Sequence, residues 1–302
     1  MQIVRRSDLI VALSFAVFLG GATAVILNRM LGMPLLGFAA GGFVVLYLMR
    51  RSFWRWRAAR KLLSRESLRW LREHVPFYRA LDQVAQVRFE RDVQIALAEL
   101  HFEGVADTEA TDELKLAVAA GAALLLHGRP DWDLPRGHTV LFYPGSFDEG
   151  YDLDTSGRFD GMLNLQGPIL LSAPAVEYGW RHEDGMNVVL HELAHLLDFQ
   201  GSGLDGLPAL LAPSSADAWR RLVREEIQNV KVGRSTLRPY AATNSAELFA
   251  VAVEQFFEQP RKLRDGHPKL FQALVALFNL DPTPRATGMA DGLTLSQPAP
   301  VE

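Results

Sequence analysis

The hydrophobic pattern divides the chain sharply. Leu9 to Leu27 (LIVALSFAVFLGGATAVIL) and Leu31 to Met49 (LGMPLLGFAAGGFVVLYLM) carry no charged residue. A helix of that length spans roughly 28 Å, close to the hydrocarbon thickness of a bilayer. Neither stretch has a polar face, so the pattern predicts a transmembrane hairpin with spans at 9–27 and 31–49, not two buried core helices. Pro34 and the internal glycines are better tolerated in membrane helices than in soluble ones. Arg5 and Arg6 precede the first span and Arg29 sits between the two. Arg50, Arg51, Arg55, Arg57, Arg60, Lys61 and Arg65 follow the second. Basic residues are retained on the inner side, which predicts both ends in the cytoplasm and an inner-membrane location. Ala22-Thr23-Ala24 resembles a signal-peptidase site; cleavage there would leave the second span as an anchor with the same orientation.

Four regions follow from this pattern. Residues 1–52 form the membrane hairpin and 53–75 a basic segment. Residues 76–285 form a globular domain, and 286–302 a disordered tail rich in Pro, Ala, Gly and Thr. Trp54 and Trp56 among arginines suit either a membrane interface or a solvated linker. In the globular part, helical spacing runs over Arg88–Phe102, with Asp112 as an N-cap over Asp112–Leu126, and over Met186–Phe199, Ala216–Val230, Ser245–Phe257 and Pro268–Phe278. His138–Pro144 and Pro168–Ala173 read as strands, and the Gly/Asp-rich stretch from Gly145 to Gly167 as a long loop. The fold class is α+β, helix-rich with a small sheet.

Composition removes several function classes. With a formal net charge of -4 there is no general case for nucleic-acid binding. With Cys 0 there is neither a disulfide framework nor a thiolate metal site, so any metal must be held by His, Asp or Glu.

The candidate chemistry lies in His191-Glu192-Leu193-Ala194-His195. Met186, Val189, Leu190, Leu193, Ala194 and Leu197 give this segment one buried helical face, and Gly201 is a natural stop. Histidines four apart on a helix stack their rings and can share one ion, for which Zn2+ is the natural choice. Glu192 then points toward the water on that ion. It is placed to act as general base, taking that proton and later passing it to the leaving amine.

The third ligand is open on pattern alone. The extended motif with a downstream glycine and histidine is absent, since Asp198 and Gly201 occupy those positions. Asp198 shares the helical face of His191 and His195. One turn below His195, however, it would have to reach past that ring, so it suits a hydrogen bond to a ligand imidazole or nearby backbone. Glu247 opens the helix Ser245–Phe257 and suits a ligand, or else a capping box with Asn244. Glu254, two turns on, is a weaker alternative and reads as solvated.

Several motifs in order resemble the Mlc titration factor A family of zinc-dependent peptidases. They are YPGSF at Tyr143–Phe147, GPILLS at Gly167–Ser172 and VVLHELAHLLD at Val188–Asp198. YAATNSAELFAVAVEQFF at Tyr240–Phe257 and LDP at Leu280–Pro282 complete the set. The Tyr-to-Glu spacing is also similar to the catalytic core of anthrax lethal factor. The resemblance covers roughly 76–284 and leaves out the hydrophobic hairpin.

It implies a gluzincin-like zinc peptidase domain with His191, His195 and Glu247 as metal ligands and Glu192 as base. Tyr240 would hydrogen-bond the developing oxyanion; an aromatic anchor for the following helix is its structural alternative. Gly167–Ala173 would be the strand beside the cleft, pairing with an extended peptide. The family also implies a transcriptional repressor as cytoplasmic partner. Three functions compete: a membrane-anchored zinc metallopeptidase acting on peptides or proteins, a regulatory protein that sequesters such a partner, and a scaffold with structural zinc.

Overall fold

The computed structural model describes residues 1–4, 6–134, 138–146, 160–163, 167–199, 206, 211 and 213–283. The proposed tail at 286–302, the stop at Gly201 and most of the loop from 145 to 167 lie outside these residues.

Two long helices open the chain, α1 (Arg6–Leu31) and α2 (Pro34–Ala59). Both are long and apolar enough to cross a membrane, over Asp8–Met30 and Leu35–Ala59. Large apolar side chains such as Phe18, Leu35 and Phe43 stay exposed on them. The helices break at Gly32, whose φ of +66° is left-handed, and Pro34 sits in the first turn of α2. There its missing N–H costs nothing, so the proline does not lie inside a span as the sequence pattern implied. The helices touch through small residues: a Cβ on Gly37 would overlap the Ala24 backbone.

α2 does not stop near Met49. It runs on without a break and brings Arg51 and Arg55 to the domain. Arg55 donates to Glu99 and Asp133, at 2.7 Å each, and Arg51 donates to the same two carboxylates. The Met1 amine lies 2.9 Å from the buried Asp92 carboxylate. A boundary at residue 52 therefore falls inside a continuous helix. Residues 53–75 also hold α3 (Arg65–His74), capped by Ser64, whose Leu71 is fully buried in the core.

The core is built on α4 (Pro76–Ala80), α5 (Gln83–Glu99) and α6 (Asp112–Leu126). Asp82 caps α5 by accepting from Ala85 N–H. The predicted helix over Arg88–Phe102 ends three residues early. Leu100 turns extended, and β1 (His101–Gly104) leaves to pair with the sheet. The cap of α6 is Thr111, accepting from Leu114 N–H at 3.2 Å. Asp112 instead lies in the first helical turn, where its charge favours the dipole. α6 is buried along nearly its whole length.

The sheet has order β1-β2-β4-β3, with β2 (Thr139–Tyr143), β3 (Gly161–Leu163) and β4 (Ile169–Ser172). β1, β2 and β4 run parallel, and β3 lies antiparallel on the outer edge of β4. β4 therefore has a neighbour on each side and no free edge. Among the described residues the edge strands are β1 and β3, and β3 falls in the stretch that the sequence pattern reads as a loop. Ser172 caps α7 (Ala173–Arg181), another element that went unpredicted.

The remaining helices are α8 (Val188–Phe199), α9 (Ala216–Lys231), α10 (Ser245–Glu258), α11 (Pro260–Gly266) and α12 (Pro268–Phe278). α8 is sandwiched between α6 and α10. Gly121 of α6 allows the close approach, because a Cβ there would overlap Val189 of α8. The result is helix-rich, with one small mixed sheet.

Candidate metal centre

Asn187 sets the start of α8. Its side chain accepts from Leu190 N–H at 3.2 Å, and its carbonyl accepts from His191 N–H. From there His191, Glu192 and His195 are presented on one helix, all buried. Across from them, Asn244 caps α10 by accepting from Glu247 N–H at 2.9 Å. The cap uses only the backbone of Glu247. Its carboxylate turns toward the histidines, so the Asn244 half of a capping box is present and the carboxylate faces the two rings.

The donor atoms converge closely. His191 Nε2 lies 3.1 Å from His195 Nε2 and 3.1 Å from Glu247 Oε2. His195 Nε2 lies 3.6 Å from the same oxygen. Tetrahedral zinc ligands at bond lengths of roughly 2.0–2.1 Å stand about 3.3 Å apart, so the triangle has the dimensions of an ion's coordination face. The protonation pattern agrees. His191 Nδ1 faces Glu254 Oε1 at 2.7 Å and is assigned the proton, which leaves Nε2 as a lone-pair donor. With the His195 Nε2 and the Glu247 carboxylate facing it, that nitrogen belongs to a donor set suited to one shared cation. Among the described residues, His191, His195 and Glu247 are the group able to hold one.

Without a metal ion, the surrounding charges favour a second proton on the His191 ring instead. Burial works to lower the His191 pKa, but Glu254, Glu247 and Glu192 around it outweigh burial and push it up to about 10. Burial likewise works against ionised Glu247, yet His191 and His195 hold its carboxyl below the usual range. Glu192 moves upward, first through burial and then through the nearby Glu247 and Glu254, against the two histidines. Carboxylates that favour positive charge on His191 would favour a metal cation at the same place.

Tyr240 lies on the short 3-10 turn Pro239–Ala242, with its ring 6.1 Å from that of His191. Burial, then the charges of Glu247 and Glu192, push the Tyr240 pKa up to about 12. Asp198 is fully buried and accepts from Gly206 N–H at 2.9 Å.

Three contributors escaped sequence reading. Glu254 is not solvated: it is 1% exposed and accepts from His191, from Asn187 N–H at 2.6 Å and from Arg238 at 2.6 Å. Its signal was a charge seven residues beyond Glu247 on an otherwise apolar helix face. Arg238, just before the tyrosine turn, gave no signal. Gly161 of β3 lies against the Glu192 carboxylate and Val188, where a Cβ would leave no room.

Two buried histidines and a glutamate from facing helices, with a second glutamate beside the first histidine, make a metallopeptidase-like centre. The chain belongs to the glucose-regulated metallo-peptidase M90 family, which it matches over residues 50–279. That match takes in the end of α2 and all of the site, and leaves out α1 and most of α2. An uncharacterized protein of Synechocystis sp. is 30% identical over 227 residues, covering 70% of this chain and 82% of its own length. Mlc titration factor A of Pectobacterium atrosepticum is 31% identical over 178 residues, covering 54% of this chain. Its counterpart in Yersinia pestis is 31% identical over 177 residues, covering 53%. The chain spans 66% and 65% of the length of those two titration factors.

Proposed function

We propose that this protein is a membrane-anchored zinc metallopeptidase of gluzincin type, with its catalytic domain on the cytoplasmic face of the inner membrane. The observation that carries the reading is the donor triangle of His191, His195 and Glu247 beside a buried Glu192. Three protein donors, not four, meet there among the described residues. Structural zinc sites close all four positions with protein, so three donors favour a catalytic centre over a scaffold.

When bound, zinc would lower the pKa of a coordinated water to about 7 and polarise the scissile carbonyl. His191, His195 and Glu247 hold it, and Glu254 fixes the His191 ring through Nδ1. Glu192 accepts the proton from the attacking water and delivers it to the leaving nitrogen. Its burial favours the protonated form, which suits a group that must take up that proton. The Tyr240 hydroxyl donates to the oxygen on which negative charge develops. β3, the edge strand passing Glu192, offers its backbone to an extended peptide. That role passes from β4, where the resemblance had placed it, because β4 is paired on both sides. Asp198 supports the end of α8 through Gly206.

The titration-factor name of two relatives favours a second reading, in which the domain captures a protein partner such as a transcriptional repressor and hydrolysis is incidental. Glu192→Gln separates the two. Peptide cleavage is expected to fall by roughly 10²–10⁴ with bound zinc unchanged, whereas partner capture would survive. Cleavage at the wild-type rate in Glu192→Gln would sink the enzymatic reading.

A further inference from the structure

The place where the hairpin meets the domain is hollow. A cleft of about 620 Å³ opens there, with Asp8, Val11, Leu48, Arg50 and Trp54 on the hairpin side. Ala96, Leu100 and Leu134 line it on the domain side. A second groove of about 170 Å³, with no polar lining, is formed by Val11, Phe15, Phe43, Val44, Tyr47 and Leu48. Val11 and Leu48 belong to both, so the two spaces adjoin. Phe15 lies one turn beyond Val11, and Phe43 and Val44 lie one turn before Leu48. On antiparallel helices both shifts lead in the same direction, away from the domain and toward the apolar middle of the hairpin.

The combination is amphipathic in a definite order: a mixed-charge chamber first, a purely apolar groove second. The charges of the chamber are specific too. Arg51 and Glu99 are bonded to each other at 2.7 Å. Arg50 is held over the Tyr47 ring at 4.0 Å with one nitrogen on the Tyr47 carbonyl, which leaves further guanidinium donors. Asp8 supplies a carboxylate on the facing helix. The Met1 amine on the lining is bound to Asp92, so beyond the bonded groups and His101 the lining offers Arg50 and Asp8, a cation and an anion that match a zwitterion better than a net anion. Trp54 on the wall is the amphipathic ring that favours the headgroup level.

We propose that this cleft holds one glycerophospholipid with an amine-bearing zwitterionic headgroup. Its phosphate sits against Arg50, its ammonium faces Asp8, and an acyl chain lies in the groove between Phe15 and Phe43. The lipid then becomes part of the joint between hairpin and domain. This site rests on the reading of α1 and α2 as membrane spans and is independent of the peptidase chemistry.

The test uses the full chain in nanodiscs with equal phosphatidylethanolamine and phosphatidylglycerol. Incorporation is scored first, because a chain that does not enter the discs defeats the membrane reading itself. After detergent release, native mass spectrometry should find one phosphatidylethanolamine retained per chain. Retention should drop at least tenfold in Leu48→Trp, which fills the junction of the two spaces. In Arg50→Glu retention should drop similarly, with helix content and zinc binding unchanged in both. Retained lipid in the one-to-one ratio of the disc, no retained lipid, or wild-type retention in either variant overturns the proposal.

Discussion

Glu254 Oε1 and His191 Nδ1 meet at 2.7 Å, seven residues along α10 from the glutamate that faces the other nitrogen of the same ring. One helix therefore grips both sides of one imidazole. With Nδ1–H engaged, the ring cannot rotate and Nε2 keeps its lone pair for the ion. Glu254→Gln preserves shape but leaves one acceptor oxygen where three donors converge. Metal affinity is expected to fall by roughly 10–100-fold, read by competition with a chelator; unchanged affinity would remove Glu254 from the metal-supporting role.

Tyr240 keeps its proton throughout the neutral range, since burial and two carboxylates raise its pKa to about 12. It is thus a hydrogen-bond donor and not a phenolate. Tyr240→Phe should lower kcat by about 10²–10³ while zinc content stays at the wild-type level. A loss confined to KM would assign the ring to substrate packing.

Gly161 is the point at which β3 meets Glu192. Gly161→Ala places a methyl group against the carboxylate and Val188. A base displaced by about 1 Å costs on the order of 10²-fold in rate. Activity should fall to that extent with metal affinity and melting temperature close to wild type, and a fully active Gly161→Ala protein would separate β3 from the reacting centre.

Glu258, at the end of α10, accepts from Gly185 N–H at 2.8 Å and is pushed up to about 8 by burial, with Glu254 and Asp184 adding to the shift. A carboxyl with a raised pKa binds more protons folded than unfolded. Its contribution is full below the unfolded value of 4.5 and is lost as pH rises to about 8. Melting temperature should decline across that window. Glu258→Gln, which keeps an acceptor for Gly185, should flatten the decline; an unchanged slope would assign it to other groups.

How much of this could be read in advance depends on where each partner lies in the chain. The His191–His195 pair and Glu192 are local to one helix, so a five-residue pattern reveals them. Glu247 is ambiguous in sequence because its backbone position fits a cap and its side chain fits a ligand; the structure shows the cap bond from its N–H and its carboxylate facing both histidines. Glu254 was misread because a charged residue on a helix defaults to solvent. What makes it an internal group is His191, 63 residues earlier, and no local pattern reports that. β2 and β4 stand where their apolar runs placed them, but β1 and β3 escape for a related reason. His101–Gly104 continues a helical pattern and becomes β1 only because Thr139–Phe142 lies alongside. Gly161–Leu163 is too short and too glycine-rich to look like a strand until it pairs with β4.

The unbroken course of α2 from Pro34 to Ala59, pinned by Arg51 and Arg55, makes the domain's mounting a strut and not a tether. A flexible segment would let the domain wander over a radius growing with the square root of its length. A helix adds a fixed 1.5 Å per residue and permits no such wandering. On the membrane reading, the reach of the centre is set like the height of a blade above a table. If the proposed peptidase function holds, that fixed height would select which peptide bonds can meet Glu192.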